Sequence, residues 1–363
     1  MRGRPSFRTP GRRARLLRRA ESWGVADGYD DHRGRRVDAP PETVARVLEV
    51  LGARSADPPS ADTVVARLDD PPDLSGFRVL ELEGGGEERL DGSLPPDVPA
   101  GYHVLIDADG NRRRLILSPG RCFLPEDLSA WGWAAQLYAV RSEASWGIGD
   151  LGDLERLGRW SAELGAQALL VNPLHAVLPG TGQQASPYFP SSRCFRNLLY
   201  LRIEDIPGAS DVESIADLAR DGRALDDTRL IERDRIYELK LRALEDLWRA
   251  FRGDGGFDRY VASEGRRLRD YATFAALAER HGGGPSAWPA ELGHPAASGV
   301  ARWRADNEHR VAFHSWVQWL LHEQMERAAS AVGVINDLAI GVDPDGADAW
   351  VWQDAFATGV QVG

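Results

Sequence analysis

The sequence predicts an α/β fold organised around a β-loop-α-β unit, with a small antiparallel β-module ahead of it and a block of helices inserted after it. Three observations carry that reading. From Trp133 to Tyr200 a short apolar run feeds a Gly-rich loop, then a helix pattern with Leu154, Leu157, Trp160 and Leu164 on one face, then a second apolar run at 168–171. From 76 to 117 the pattern shortens to strands, the clearest pair being 102–107 and 112–117 across Asp109-Gly110, a turn dipeptide that supplies positive φ. From 205 to 331 apolar residues recur with helical period.

The 363 residues are enough for two domains, or for one large α/β unit with a smaller partner. No run of about eighteen apolar residues occurs, so no membrane span is expected. A net charge of -11 argues against nucleic acid as the main partner, because phosphate binding needs a basic field; a neutral substrate stays open. Cys122 and Cys194 make neither a disulfide framework nor a zinc spacing, and are expected as buried free thiols in a cytoplasmic protein. Twelve tryptophans are unusual, and their faces stack well on sugar rings. Trp160, Trp248, Trp316 and Trp319 sit at helical spacing and are assigned to cores, whereas Trp146 and Trp350, in Gly- or Asp-rich loops, are assigned to ligand.

Taken in order, residues 1–20 carry eight arginines and a Pro10-Gly11 break without the apolar centre of a secretory signal; they read as a disordered basic arm or the product of a misplaced start codon, an organellar presequence being a further alternative. A helical N-terminal segment follows at 21–73. In it Pro41 suits a first helical turn, Val44, Val47, Leu48 and Leu51 share a face, Gly52 can stop the helix, and 56–61 reads as a linker. Residues 74–125 are expected to form a β-sandwich module. Residues 130–204 hold the β-loop-α-β unit and a third apolar run at 198–203, and 205–331 are the helical insertion, with helices at 211–220, 236–251, 257–281 and 301–331. Residues 332–363 return as a strand followed by an Asp-rich loop.

Gly147-Ile-Gly-Asp-Leu-Gly152 has the dinucleotide spacing, but its first glycine lies well past the strand, no acid ends the second strand, and Asp150 puts negative charge where pyrophosphate would sit. Asp343-Pro-Asp-Gly-Ala-Asp348 lacks the glycine and glutamate of a calcium loop. No Gly-x-Ser-x-Gly elbow occurs. No cofactor or metal is therefore expected. What remains is a barrel-like arrangement in which polar residues follow strand ends: Arg141-Ser142, Asn172-Pro-Leu-His175, Asp337 and Asp343. Asn172 is read either as a ligand contact or as the hydrogen bond that shapes its turn, whereas Ser186 and Tyr188, in a Pro-bounded loop, are read as functional.

At these residues the chain resembles a known family. Gln136-Leu-Tyr138, Ser145-Trp-Gly-Ile-Gly-Asp-Leu-Gly-Asp-Leu154, Asn172-Pro-Leu-His175, Ser186-Pro-Tyr188 with Pro190-Ser-Ser-Arg193, and the run from Asp337 to Trp350 closely resemble 4-α-glucanotransferase, the amylomaltase or disproportionating-enzyme family. The resemblance covers about residues 20–363 and departs at Leu198, where the family usually has proline. It implies a (β/α)8 barrel with helical insertions behind an N-terminal β-sandwich. It also implies cofactor-free transfer of α-1,4-glucan segments between malto-oligosaccharides or glycogen-derived glucans, with Ser186 and Tyr188 accepting the glucose chain near the cleavage point and Asp337 as a substrate-binding acid; Asn172 and Trp350 join them as substrate-binding candidates from the reading of their loops.

A retaining transferase needs a nucleophilic carboxylate and a carboxylic acid about 5 Å apart. The family carries them in Arg-x-Asp-His and Glu-Asp-Leu-Gly segments on later strands, and neither is found in its place here. Asp31-His32 and Glu126-Asp-Leu-Ser129 are decoys, so no catalytic residue is assigned. Only three barrel strands are expected, at 135–140, 168–171 and 332–340, which reads as the N-terminal portion of an enzyme, inactive by itself. The alternative is a non-catalytic glucan-binding or scaffold fragment.

Overall fold

The computed structural model describes residues 10–54, 63–125, 128–180 and 182–356. The chain divides into two compact units, 1–128 and 129–363.

The first unit opens with helix α1 (Pro10–Ser22), the hairpin β1 (Gly28–Asp30) and β2 (Arg36–Asp38), and helix α2 (Pro41–Val50). Over 10–20 helix α1 corrects the expectation of a disordered arm, since Pro10 is tolerated in a first turn and the arginines leave an apolar edge; residues 1–9 of that arm lie outside the described residues. Leu16 and Ala20 on that edge pack against Val44, Leu48 and Ala53. Asp31 is the hairpin turn: its Oδ1 accepts the amide N–H of Arg33 and Arg35 at 2.8 and 2.9 Å. The expected linker at 56–61 and the pair Glu126-Asp127 lie outside the described residues.

Strands β3 (Thr63–Arg67), β4 (Phe77–Glu81), β5 (Glu87–Arg89), β6 (Gly101–Asp107) and β7 (Arg112–Ser118) make one sheet in the order β3-β7-β6-β4-β5. The β3/β7 pair is parallel, and β6 and β7 form the antiparallel hairpin with Gly110 at φ 83°. Where a sandwich was expected at 74–125, the described residues form this single sheet, and it recruits a strand from the segment expected to be helical. The strands bury one row, including Ala66, Leu80, Leu105, Leu115 and Leu117. Leu74, Leu90 and Val98, outside or at the ends of strands, fill that core in place of a second sheet.

The second unit contains β8 (Gly132–Ala135), α3 (Leu151–Glu163), β9 (Ala168–Val171), β10 (His175–Ala176) paired with β11 (Ser192–Arg196), then α4 (Ser214–Arg223), α5 (Arg233–Ala250), α6 (Gly255–His281), α7 (Ser298–Asp306), α8 (Glu308–Ala328), β12 (Gly333–Asn336) and α9 (Ala347–Val351). Strands β12, β9 and β8 lie side by side, all parallel. The expected strand 135–140 is displaced to 132–135. At Leu137 the amide leaves the ladder to donate to Asn172 Oδ1 (2.7 Å), and Ala139 and Val140 turn back on the carbonyls of Gln136 and Leu137. The expected strand 332–340 ends at 336, where Leu338 N–H donates to Asp337 Oδ1 (2.8 Å).

The apolar run 198–203 forms 3-10 turns rather than a strand, because Lys240 Nζ on α5 takes the carbonyls of Leu199 and Leu201, both at 2.7 Å. Helices α3, α4, α5 and α8 and the covered face of the sheet share one core, with Leu154, Leu169, Val171, Leu244, Trp316 and Leu320 among its members, while α6, α7 and α9 bury Phe274, Val300 and Trp350 in a second. Cys122 and Cys194 are free but exposed, contrary to expectation; beside Cys194 it is Phe195 that takes the core position. No helix among the described residues is long and apolar enough to cross a membrane.

Candidate functional site

The glycine-rich loop is explained by packing. Asp150 caps α3, its Oδ1 accepting the amides of Gly152 (3.0 Å) and Asp153 (3.3 Å), and the Asp153 carboxylate reaches back to the Asp150 amide (3.1 Å). Gly147 sits at φ 73°, a Cβ on Gly149 would fall 2.0 Å from the Leu137 carbonyl oxygen, and one on Gly152 would meet the Arg202 guanidinium at 3.0 Å.

Behind the loop lies a buried ion network. Arg202 Nε donates to both Asp150 oxygens (2.9 and 2.8 Å), its Nη2 lies 2.8 Å from Asp153 Oδ1, and Lys240 Nζ lies 3.8 Å from Asp150 Oδ2. Burial alone would raise the Asp153 carboxyl, but hydrogen bonds from Ser142 and Ser145 and the Arg202 cation bring it below its ordinary value. Sequence reading missed Arg202 and Lys240. A signal existed for the second: Lys240 falls on the apolar stripe made by Ile236, Ala243, Leu244 and Leu247.

The open polar site lies beyond the C-terminal ends of β9 and β12. Asp337 follows β12, and its amide donates to the Val171 carbonyl (3.0 Å), which sets the carboxylate beside the loop between β10 and β11. From that loop Tyr188, half exposed, donates its hydroxyl to Asp337 Oδ2 at 2.6 Å. This hydrogen bond raises the phenol above its ordinary pKa, so Tyr188 keeps its proton. Exposed Ser186 accepts the Tyr188 amide N–H on its Oγ (3.3 Å) and shapes the turn.

The strap after Asp337 is held from two sides. Arg193 Nη1 donates to the carbonyls of Ala339 (3.4 Å) and Ile340 (3.1 Å), while the Ala339 amide donates to His175 Nε2 (3.4 Å). Burial keeps His175 below its usual pKa range, which preserves the acceptor. The Asp-rich loop is also scaffold. Asp348 Oδ2 accepts the Arg193 amide (2.7 Å), Asp343 Oδ1 accepts the Asp345 amide (2.9 Å), and Asp345 accepts the Ser286 amide and hydroxyl. Among the described residues no group of three or more His, Cys, Asp or Glu could hold a metal ion.

Of the five residues expected on substrate, the structure gathers Ser186, Tyr188 and Asp337 and seals away the other two. Asn172 is buried, accepting from the Leu137 amide and donating to the Pro173 carbonyl (2.9 Å) and the Tyr200 hydroxyl (3.0 Å), which uses both of its amide hydrogens. Trp350 is only 2% exposed, packs with Phe274 and Trp288, and donates its Nε1–H to the Leu292 carbonyl (3.0 Å); this corrects its assignment to ligand. Trp146 is likewise buried, donating to Glu204 (3.0 Å). Trp160, expected in a core, is exposed and stacks on Trp133 with centroids 6.0 Å apart.

Parallel strands with a tyrosine–carboxylate pair open beyond their C-terminal ends place this unit among α/β proteins that present their site from strand-end loops. Comparison with known proteins carries this further. The chain belongs to the 4-alpha-glucanotransferase family, whose model matches residues 135–363. The 4-alpha-glucanotransferase of Mycobacterium tuberculosis is 36% identical over 430 aligned positions, and that of Haemophilus influenzae 30% identical over 408; each alignment covers 96% of this chain. The crystal structure of amylomaltase from Corynebacterium glutamicum aligns with a TM-score of 0.66 at 28% identity, covering 93% of this chain and 56% of that one. The chain spans 58% of the length of both curated relatives.

Proposed function

We propose that this chain is the substrate-binding part of a 4-α-glucanotransferase that moves α-1,4-glucan segments between malto-oligosaccharides. The convergence of Tyr188 and Asp337 at strand ends, in a chain of this family, carries the reading. Asp337 Oδ1 and Oδ2 accept from the Leu338 amide and the Tyr188 hydroxyl, leaving lone pairs for sugar hydroxyls, and the exposed Tyr188 ring offers a face to a pyranose.

The reaction is a retaining double displacement. A carboxylate attacks the anomeric carbon as a carboxylic acid protonates the departing 4-oxygen; the 4-hydroxyl of an acceptor then takes the place of water, giving its proton to the same group and releasing the nucleophile. We assign neither carboxyl group to residues 1–363.

The full gene product incubated with maltotriose is expected to yield glucose together with longer maltodextrins. Hydrolysis alone, or no change, would refute the reading. Residues 1–363 produced alone are expected to show no transfer, and turnover by that polypeptide would place the chemistry within them.

A further inference from the structure

Just past α9 the chain places a second tryptophan where its neighbour Trp350 is not. Trp352 is 49% exposed, although its amide is fixed to the Asp348 carbonyl at 2.9 Å. It borders a cleft of about 340 Å³ together with Arg266, Asp270, His294 and Asp354. A lone exposed tryptophan is ordinary. What distinguishes this one is the unused hydrogen-bonding capacity around it. Arg266 engages Asp270 through Nε (3.0 Å), leaving its two Nη groups. His294 accepts the Ala296 amide on Nδ1 (3.1 Å), leaving Nε2. Asp354 has no ion-pair partner among the described residues.

The chemistry of the walls narrows the ligand. A purely apolar ligand would desolvate Asp354 and Arg266 without replacing their hydrogen bonds. An anion would meet the Asp354 carboxylate, and the Arg266 guanidinium already holds Asp270, a carboxylate that Arg269 and Arg304 also approach, at 3.5 and 3.9 Å. A pyranose satisfies both kinds of wall, laying its C–H face on the indole while its hydroxyls donate to the carboxylate and accept from the guanidinium or imidazole. The cleft is at the small end of ligand sites, which run from about 300 to 1,000 Å³, so it suits a short stretch of chain. We propose that the Trp352 cleft is a second glucan-binding site, built from residues other than Ser186, Tyr188 and Asp337, that holds part of a long α-1,4-glucan. The ligand class rests on the transferase reading above; the site does not.

The test is affinity electrophoresis of the full gene product through gels containing glycogen, for wild type, Trp352→Ala, Trp352→Phe and Asp354→Ala, beside maltotriose transfer and a melting curve for each. Trp352→Ala is expected to lose retardation several-fold, Trp352→Phe to fall between, and Asp354→Ala to weaken it, all with maltotriose transfer unchanged. Wild-type retardation retained by Trp352→Ala, or no retardation of the wild type, overturns the proposal. If Trp352→Ala fails to fold, the Phe and Asp354 variants decide it in the same way. Trp352-dependent retardation without any maltotriose transfer would support the site and defeat the transferase reading.

Discussion

Two polar clusters in the second unit form around motif segments, the Gly-Asp-Leu run at 147–154 and the Ser-Pro-Tyr run at 186–188, and they do opposite work. Asp150, Asp153, Arg202 and Lys240 are nearly inaccessible, each charge matched by another charge, a carbonyl or an amide. Tyr188 and Asp337 meet at the surface, with lone pairs and a ring face facing solvent. A motif's polarity does not reveal whether it holds the fold or stays open to a ligand. Burial decides that, because a sealed charge must find its partners within the protein, while an open one keeps capacity for a ligand.

The largest effect is expected from Arg202→Met. It removes the cation that bridges the buried Asp150 and Asp153 carboxylates, and breaking a buried ion pair costs about 3–5 kcal/mol. The urea midpoint of the chain should fall accordingly; a variant as stable as the parent would erase the contrast between the clusters. Asp337→Asn tests the open side. Its stability should stay within about 0.5 kcal/mol of the parent. In the full gene product, kcat/KM for maltotriose should drop about 10- to 100-fold, as expected for losing hydrogen bonds to a charged group worth about 1.5–3 kcal/mol. Unchanged turnover would remove Asp337 from the site.

Glu279, His314 and Arg310 form a third cluster, which responds to low pH. Burial alone would raise Glu279, but hydrogen bonds from His314 and Arg310 bring it from 4.5 to about 2. A depressed carboxylate stabilises the fold above its unfolded value and loses that contribution as pH falls through the folded one. Stability should therefore decline between about pH 4.5 and 2, and Glu279→Gln should flatten that decline while lowering stability at pH 7. Urea midpoints across that window provide the measurement, and an equal slope in both proteins would show that Glu279 is not linked to folding.

Much of the local structure was legible from residue order alone. The β6/β7 hairpin follows from two alternating runs around a turn dipeptide, and β9 and the long helices follow from apolar periodicity, because those patterns are local consequences of backbone geometry. Tyr188 and Asp337 were legible as candidates through motif resemblance. The two residues are 149 positions apart, and only the parallel pairing of β9 with β12 brings them within 2.6 Å.

Tertiary structure decided the rest. Trp350 and Trp352 stand two positions apart in one short segment, yet the first is sealed among Phe274, Trp288 and the Leu292 carbonyl and the second faces solvent. No composition or spacing separates them. Likewise α1 became a helix because α2 offered Leu16 and Ala20 an apolar surface, and 198–203 became turns because a distant lysine needed two carbonyls. Sequence determined which elements form where their cause is local. Burial and hydrogen-bond satisfaction depend on atoms far away in the chain, so the fold alone chose which polar and aromatic groups are left for a ligand.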